Sequence, residues 1–223
     1  GDPLVAIGGP CASNPQPLSD FMDFALLGDG EEAIISILEA VKKAKSQSLS
    51  RRDLLAKLSE IEGVFVPLLG NTGRKTKFTR IKKLFPENYP SRPIVPLIET
   101  THDRLNVEIM RGCTRGCRFC HAGYFYRPLR ERDPADVISQ SETGICGTGY
   151  NELTLLSLST SDYSGLRETF SGIKARLPGI KMSIPSTRVD ASSALFSDDN
   201  YEAGKSGFTI APEAGTERLR NAI

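Results

Sequence analysis

The spacing of apolar residues changes along the chain, and each change marks an element. Leu4, Val5, Ala6 and Ile7 form a short apolar run that stops at Gly8-Gly9-Pro10, which predicts a strand over residues 4–9. Residues 18–27 predict a helix and then a strand, Phe24-Ala25-Leu26-Leu27. That strand runs into Gly28-Asp29-Gly30-Glu31-Glu32, then into Ile34, Ile35, Leu38 and Val41, apolar at helical spacing. Strand, helix, strand, helix is the rhythm of a doubly wound α/β domain. Residues 42–62 read as helix, with Leu54, Leu55, Leu58 and Ile61 on one face. Between 63 and 100 the periodicity fades, and Pro67, Pro86, Pro90, Pro93 and Pro96 punctuate a linker.

From residue 105 a strand–helix alternation begins. Residues 105–110 predict a strand leading into a cysteine-rich loop. Residues 134–143 predict a helix with Asp133 as its N-cap. A strand over 152–159, a helix over 162–177 and a strand over 180–185 follow, then a helical stretch from Asp190. A fourth strand is expected over 207–211, and a last helix from Gly215. Four such units in a row imply a parallel sheet curling toward a barrel. The expected organisation is a partial α/β domain over 1–45, a helical and basic linker over 46–100, and a partial (β/α) barrel over 101–223.

Composition adds limits. The 223 residues are 39% hydrophobic and 25% charged, as in a globular chain able to bury a core. No apolar run approaches the ~20 residues that span a bilayer, and no signal-peptide pattern opens the chain, so a cytoplasmic protein without a membrane partner is expected. Gly1, a strand already under way at Leu4 and a helix stopping at Ile223 suggest a fragment of something longer. The net charge of +1 hides a segregation. Residues 1–40 carry Asp2, Asp20, Asp23, Asp29, Glu31, Glu32 and Glu39 with no Lys or Arg, whereas residues 41–95 are strongly basic. The basic stretch reads as a solvated face or as a contact for an anionic partner.

The cysteines alter the picture most. Three of the five fall between 113 and 120, a clustering that points to metal or redox chemistry rather than a disulfide scaffold. Cys113, Cys117 and Cys120 follow a strand directly, and Gly112 and Gly116 permit the tight turns that aim three thiolates at one small object. Thiolates suit soft metals, zinc or iron–sulfur clusters, and a four-iron cluster with three protein ligands keeps one iron open. Arg111, Arg115 and Arg118 offset the charge of such a cluster, and Phe119 is placed to shield it. A zinc site completed by His121 is the rival, although zinc ligand pairs usually stand about a dozen or more residues apart. A non-catalytic iron–sulfur electron-transfer or sensing protein would need a fourth ligand, for which Cys146 is the downstream cysteine. A zinc-stabilised RNA-binding module is a third reading, suggested by Arg111, Arg115, Arg118, Arg127, Arg130 and Arg132.

The run Cys113-Thr114-Arg115-Gly116-Cys117-Arg118-Phe119-Cys120 resembles the CxxxCxxC motif of the radical S-adenosylmethionine (SAM) superfamily, with its aromatic before the last cysteine. The phrase EIMRGCTRGCRFCHAGYFYRPLRER, with LTLLSLSTSDY, SIPSTRVD and FTIAPEAGTERLRNAI, is similar to a bacterial subgroup of B12-binding-domain radical SAM proteins. The resemblance implies a 4Fe-4S cluster on the three cysteines and S-adenosylmethionine chelated at the open iron. It also implies an external electron donor of flavodoxin or ferredoxin type, and reductive cleavage to a 5′-deoxyadenosyl radical for hydrogen abstraction or methyl-type transfer. By the same resemblance, Ser159, Thr160 and Ser161 meet the methionine amino group, although many members have Gly-Gly-Glu there. Ser186 and Arg188 meet the ribose or the methionine carboxylate, Tyr124 meets adenine, and Glu213 ends the fourth strand. Gly8-Gly9 and Gly28-Asp29-Gly30-Glu31 resemble the second half of a cobalamin-binding domain. The family's cobalt-ligating histidine falls in the first half, and His102 and His121 do not correspond to it. Cobalamin is therefore expected only in a full-length parent. The resemblance leaves the substrate open, with RNA or another anion favoured by the basic segments.

Overall fold

The computed structural model describes residues 2–70, 75–98, 100–185, 187–188 and 211–223, and the chain divides into two units, 1–82 and 83–223. In the first, β1 (Ala6–Ile7) pairs in parallel with β2 (Phe24–Leu26). The helix expected between them is replaced by 3-10 turns at Pro10–Ser13 and Gln16–Phe21. The helix α1 (Ala33–Ser46) buries Ala33, Ile37 and Ala44, with Ala40 and Val41 packed beside them. Ile34, Ile35 and Leu38 are exposed, so the buried face is not the expected one. α1 carries two apolar stripes, and the one rich in alanine makes the contact.

Ser50 accepts the Asp53 N–H at 3.2 Å and starts α2 (Arg51–Leu58), which buries Leu55 and Leu58. Then β3 (Val64–Phe65) pairs antiparallel with β2. Residues expected in the linker thus complete the first unit. Thr79 also returns to Gly28: the Asp29 N–H donates to Thr79 O at 3.0 Å, and the Asp29 carboxylate accepts the Ile81 N–H at 3.0 Å. Gly28 has φ 109, and a Cβ there would lie 2.2 Å from Thr79 O. The glycine admits the close approach of the chain's own backbone.

The second unit holds β4 (Leu105–Glu108), β5 (Met110–Arg111), α3 (His121–Phe125), β6 (Arg130–Glu131), α4 (Pro134–Thr148), β7 (Glu152–Leu156), α5 (Leu166–Arg176), β8 (Lys181–Ser183) and α6 (Glu217–Ala222). β4, β7 and β8 form a parallel sheet in that order, with Glu108 opposite Leu156 and Thr154 opposite Ser183. Leu105, Val107, Leu153, Leu155 and Met182 point to one face and pack with Val137, Ile138, Ile145, Phe170 and Ile173. Alternation assigns Asn106, Glu108, Thr154 and Ser183 to the other face. This is an α/β fold, a partial (β/α) barrel. Asp133 accepts the Ala135 N–H at 2.9 Å, and α4 runs past its expected end to Gly149, which is left-handed. The helix expected from Asp190 and residues 207–210 of the expected fourth strand lie outside the described residues. Among the described residues, no helix is long and apolar enough to cross a membrane.

Candidate functional site

The cysteine loop is closed at its neck. After β4, Ile109 donates its N–H to Leu156 O at 3.0 Å, and β5 pairs antiparallel with β6, Met110 opposite Glu131 and Arg111 opposite Arg130. Everything between Gly112 and Leu129 is held by this ladder. Gly112 has φ 94, with Pro128 O and Tyr126 O each 2.8 Å from where a Cβ would stand. No other residue type fits between those carbonyls without moving the neck.

Inside the loop the backbone supplies N–H groups to sulfur. Cys113 Sγ accepts the Arg115 N–H at 3.5 Å, and Cys120 Sγ accepts the Gly123 N–H at 3.4 Å from its N-cap position on α3. The Cys120 N–H donates to Cys117 O at 3.0 Å, which turns the chain between the last two cysteines. All three thiols are partly exposed. Tyr124 folds back over the loop, donating to Gly116 O at 3.3 Å, with the Arg127 guanidinium 4.7 Å from its ring centre. Phe119, expected as a shield, is 58% exposed. The ring of His121 lies 5.8 Å from that of Phe125.

Two of the flanking arginines are joined to carboxylates. Arg111 Nε and Nη2 each donate to Glu108 at 2.9 Å, and the buried Arg132 Nη2 lies 4.0 Å from Glu108 Oε2. Arg132 also donates to Glu108 O at 3.0 Å, Leu84 O at 3.3 Å and Phe85 O at 2.8 Å. Burial pulls the Arg132 pKa down, against the favourable charge of Glu108. Arg115 binds Asp162 through two nitrogens, Nε at 2.8 Å and Nη2.

Asp162, absent from the expected site residues, joins them here. It ends the 3-10 turn Thr160–Asp162 that follows β7. Its carboxylate accepts the Ser159 hydroxyl at 2.7 Å and lies 3.8 Å from Arg188 Nη1. The Arg115 hydrogen bonds above all hold its carboxyl below the ordinary carboxylate range, with Ser159 and the charges of Arg115 and Arg188 adding to them and burial opposing.

The expected site residues divide accordingly. Ser159 is buried on Asp162, and Ser161 Oγ accepts the Arg188 N–H at 3.5 Å, so Ser159, Ser161, Arg188 and the cysteine loop come together. Thr160 does not join them: it is fully buried, 2.9 Å from Ser157 Oγ, and it donates to Leu155 O at 3.4 Å. Its side chain completes the end of β7. Glu213 is exposed with φ 65, just ahead of α6, whose N-cap Thr216 accepts the Leu219 N–H at 3.3 Å. The end of α6 returns to the loop, Ile223 O accepting the Arg118 N–H at 3.0 Å. Ser186 lies outside the described residues.

The family profile described as "Radical SAM superfamily" matches residues 107–223, which include the loop and the strand ends that face it. The chain belongs to the radical SAM superfamily. A second profile, "Radical SAM proteins, N-terminal", matches residues 1–67. An uncharacterized protein of Methanocaldococcus jannaschii is 30% identical over 226 residues, covering 99% of this chain and 45% of that protein. The threonylcarbamoyladenosine tRNA methylthiotransferase MtaB of Bacillus subtilis is 34% identical over 64 residues, 29% of this chain and 14% of that protein. The chain therefore spans less than half the length of either relative.

The donor set of this radical SAM chain fits the cluster that its family implies. Four thiolates around one zinc stand ~3.8 Å apart, from ~2.3 Å bonds at tetrahedral angles. A cubane instead takes each thiolate on a separate iron, so its ligands stand wider apart. Three soft thiol donors on one loop, two of them receiving backbone N–H groups, suit the irons of such a cluster.

Proposed function

We propose that the chain binds a 4Fe-4S cluster through Cys113, Cys117 and Cys120, with S-adenosylmethionine beside it, as the cofactor-binding part of a radical SAM enzyme. When bound, this pair supplies reductive cleavage to a 5′-deoxyadenosyl radical for hydrogen abstraction or methyl-type transfer, with an electron from a donor of flavodoxin or ferredoxin type. The reading rests above all on one juxtaposition: a necked loop of three thiols tied by Arg115 to the Asp162 carboxylate that also attracts Arg188. In this reading the β5–β6 neck fixes where the thiols stand, and the guanidinium of Arg188 receives the methionine carboxylate. Ser161 holds the Arg188 backbone, and Tyr124 covers the loop on the adenine side. Glu213 keeps a looser place, next to the helix that closes on Arg118. Cobalamin belongs to this reading only for a longer parent.

The proposed substrate class is RNA or another polyanion. The basic residues between 41 and 95 support it, as does the partial likeness to an enzyme named for its action on tRNA. Anaerobic reconstitution with iron and sulfide tests the core of the reading. About four irons per chain are expected, with an electron paramagnetic resonance spectrum of the reduced cluster that changes when S-adenosylmethionine is added. Stoichiometric zinc without iron, or a cluster spectrum unmoved by S-adenosylmethionine, refutes it.

A further inference from the structure

Arg115 acts at two places at once. Its backbone N–H points at Cys113 Sγ, 3.5 Å away, while its guanidinium clasps Asp162. Asp162 in turn belongs to a different segment, the turn after β7, where its own N–H donates to Ser159 O at 3.0 Å and its carboxylate takes the Ser159 hydroxyl. The neighbouring Ser161 accepts the N–H of Arg188, and Arg188 Nη1 approaches the same carboxylate. Three segments, those after β5, β7 and β8, therefore meet at one side chain. Asp162 is only 14% exposed, so its charge is poorly screened and its geometry is restricted by all three partners.

We propose that Asp162 is a positioning residue: it fixes the cysteine loop through Arg115 and holds Arg188 ready for the methionine carboxylate of S-adenosylmethionine. This rests on the function proposed above. The chemistry follows from charge. Two guanidiniums drawn toward one carboxylate stay near each other; without it they repel and separate. Moving Arg115 also moves the N–H that Cys113 sulfur receives. Asp162 thus acts on the thiols and on the ligand's carboxylate without touching either.

Asp162→Asn, Arg115→Gln and the double variant test this in two forms of the protein. In the metal-free chain, amide hydrogen exchange at residues 113–117 is expected to rise about 10-fold in each single variant and no further in the double, since coupled residues give non-additive effects. In the reconstituted chain, the Kd for S-adenosylmethionine, read from the cluster's paramagnetic resonance, is expected to weaken about 10-fold in Asp162→Asn. Asp162→Glu, which keeps the charge, should restore most of both. Should Asp162→Asn fail to fold, Arg115→Gln carries the test, because Arg115 is nearly half exposed. Additive effects in the double variant overturn the proposal, as do unchanged exchange and affinity in the single ones. A wild-type cluster that ignores S-adenosylmethionine is a different failure: it removes the function proposed above, and the role of Asp162 toward the cofactor with it.

Discussion

Replacing Gly112 by alanine should open the neck of the cysteine loop while leaving the sheet behind it folded. Gly112 has φ 94, a conformation that costs a residue with a Cβ about 1–2 kcal/mol. The added Cβ would also lie 2.8 Å from two carbonyl oxygens and 3.0 Å from Leu129 Cα. All three are backbone atoms, so no rotamer change relieves the overlap, and forced overpacking adds about 1–3 kcal/mol. Against this stands a ladder of two residue pairs, Met110 with Glu131 and Arg111 with Arg130. Each backbone hydrogen bond there contributes only about 0.5–1.5 kcal/mol net. The strain therefore matches or exceeds what holds the neck. The main core, built on Leu105, Val107, Leu153 and Leu155, does not include Gly112. Amide exchange should consequently speed up at Arg111, opposite Arg130, and at Arg132, whose N–H donates to Ile109 O across the neck, and iron retained after reconstitution should fall to a minor fraction. The calorimetric melting temperature should drop by only a few degrees. A Gly112→Ala chain with unchanged exchange and full iron content would show that the neck does not set the loop.

Arg132→Met keeps the bulk of the buried side chain but leaves the carbonyls of Glu108, Leu84 and Phe85 without their donor. A loss of about 3–5 kcal/mol in denaturant unfolding is expected, and a loss below about 1 kcal/mol would contradict the burial argument. The Asp162 carboxyl titrates below its ordinary value of 3.8 in the folded chain, so its ion pairs stabilise the fold fully above that value and are lost as pH falls through the lower folded one. The stability difference between wild type and Asp162→Asn should therefore be flat above about pH 5 and shrink below about pH 4; a difference that grows on acidification would reverse the sign and refute the assignment.

What the sequence made legible follows from the range of the forces involved. The β4, β7 and β8 strands and helices α4 and α5 were readable because their apolar periodicity is local and they pack as successive units. The cysteine loop was readable because its meaning lies in spacing. The β5–β6 neck was not, since two-residue strands carry no period and pair across the whole loop. Asp162 was missed for a related reason: its main partner, Arg115, is 47 residues away, and nothing near Asp162 in sequence signals the pairing. The buried face of α1 was misread because Ile34, Ile35 and Leu38 outrank Ala33, Ala40 and Ala44 in hydrophobicity, although alanines permit the closer packing.

The arginines flanking the cysteines were expected to offset the charge of a cluster. The structure organises them further. Glu108 takes Arg111 through two short bonds and Arg132 at 4.0 Å. Asp162 takes Arg115 through two bonds and Arg188 at 3.8 Å. Each group sets two guanidiniums around one carboxylate, one joined through two bonds and one at a longer distance. One group underlies the start of the loop, and the other reaches it from the ends of the next two strands. The arrangement needs arginine rather than lysine, because only a planar fork grips a carboxylate through two bonds while its aliphatic stem packs. Positive charges held at two sides of the three cysteines are positioned in advance, so an anionic occupant would meet them without reorganisation. The internal carboxylates thus do not cancel the charge expected of the site; they determine where it stands.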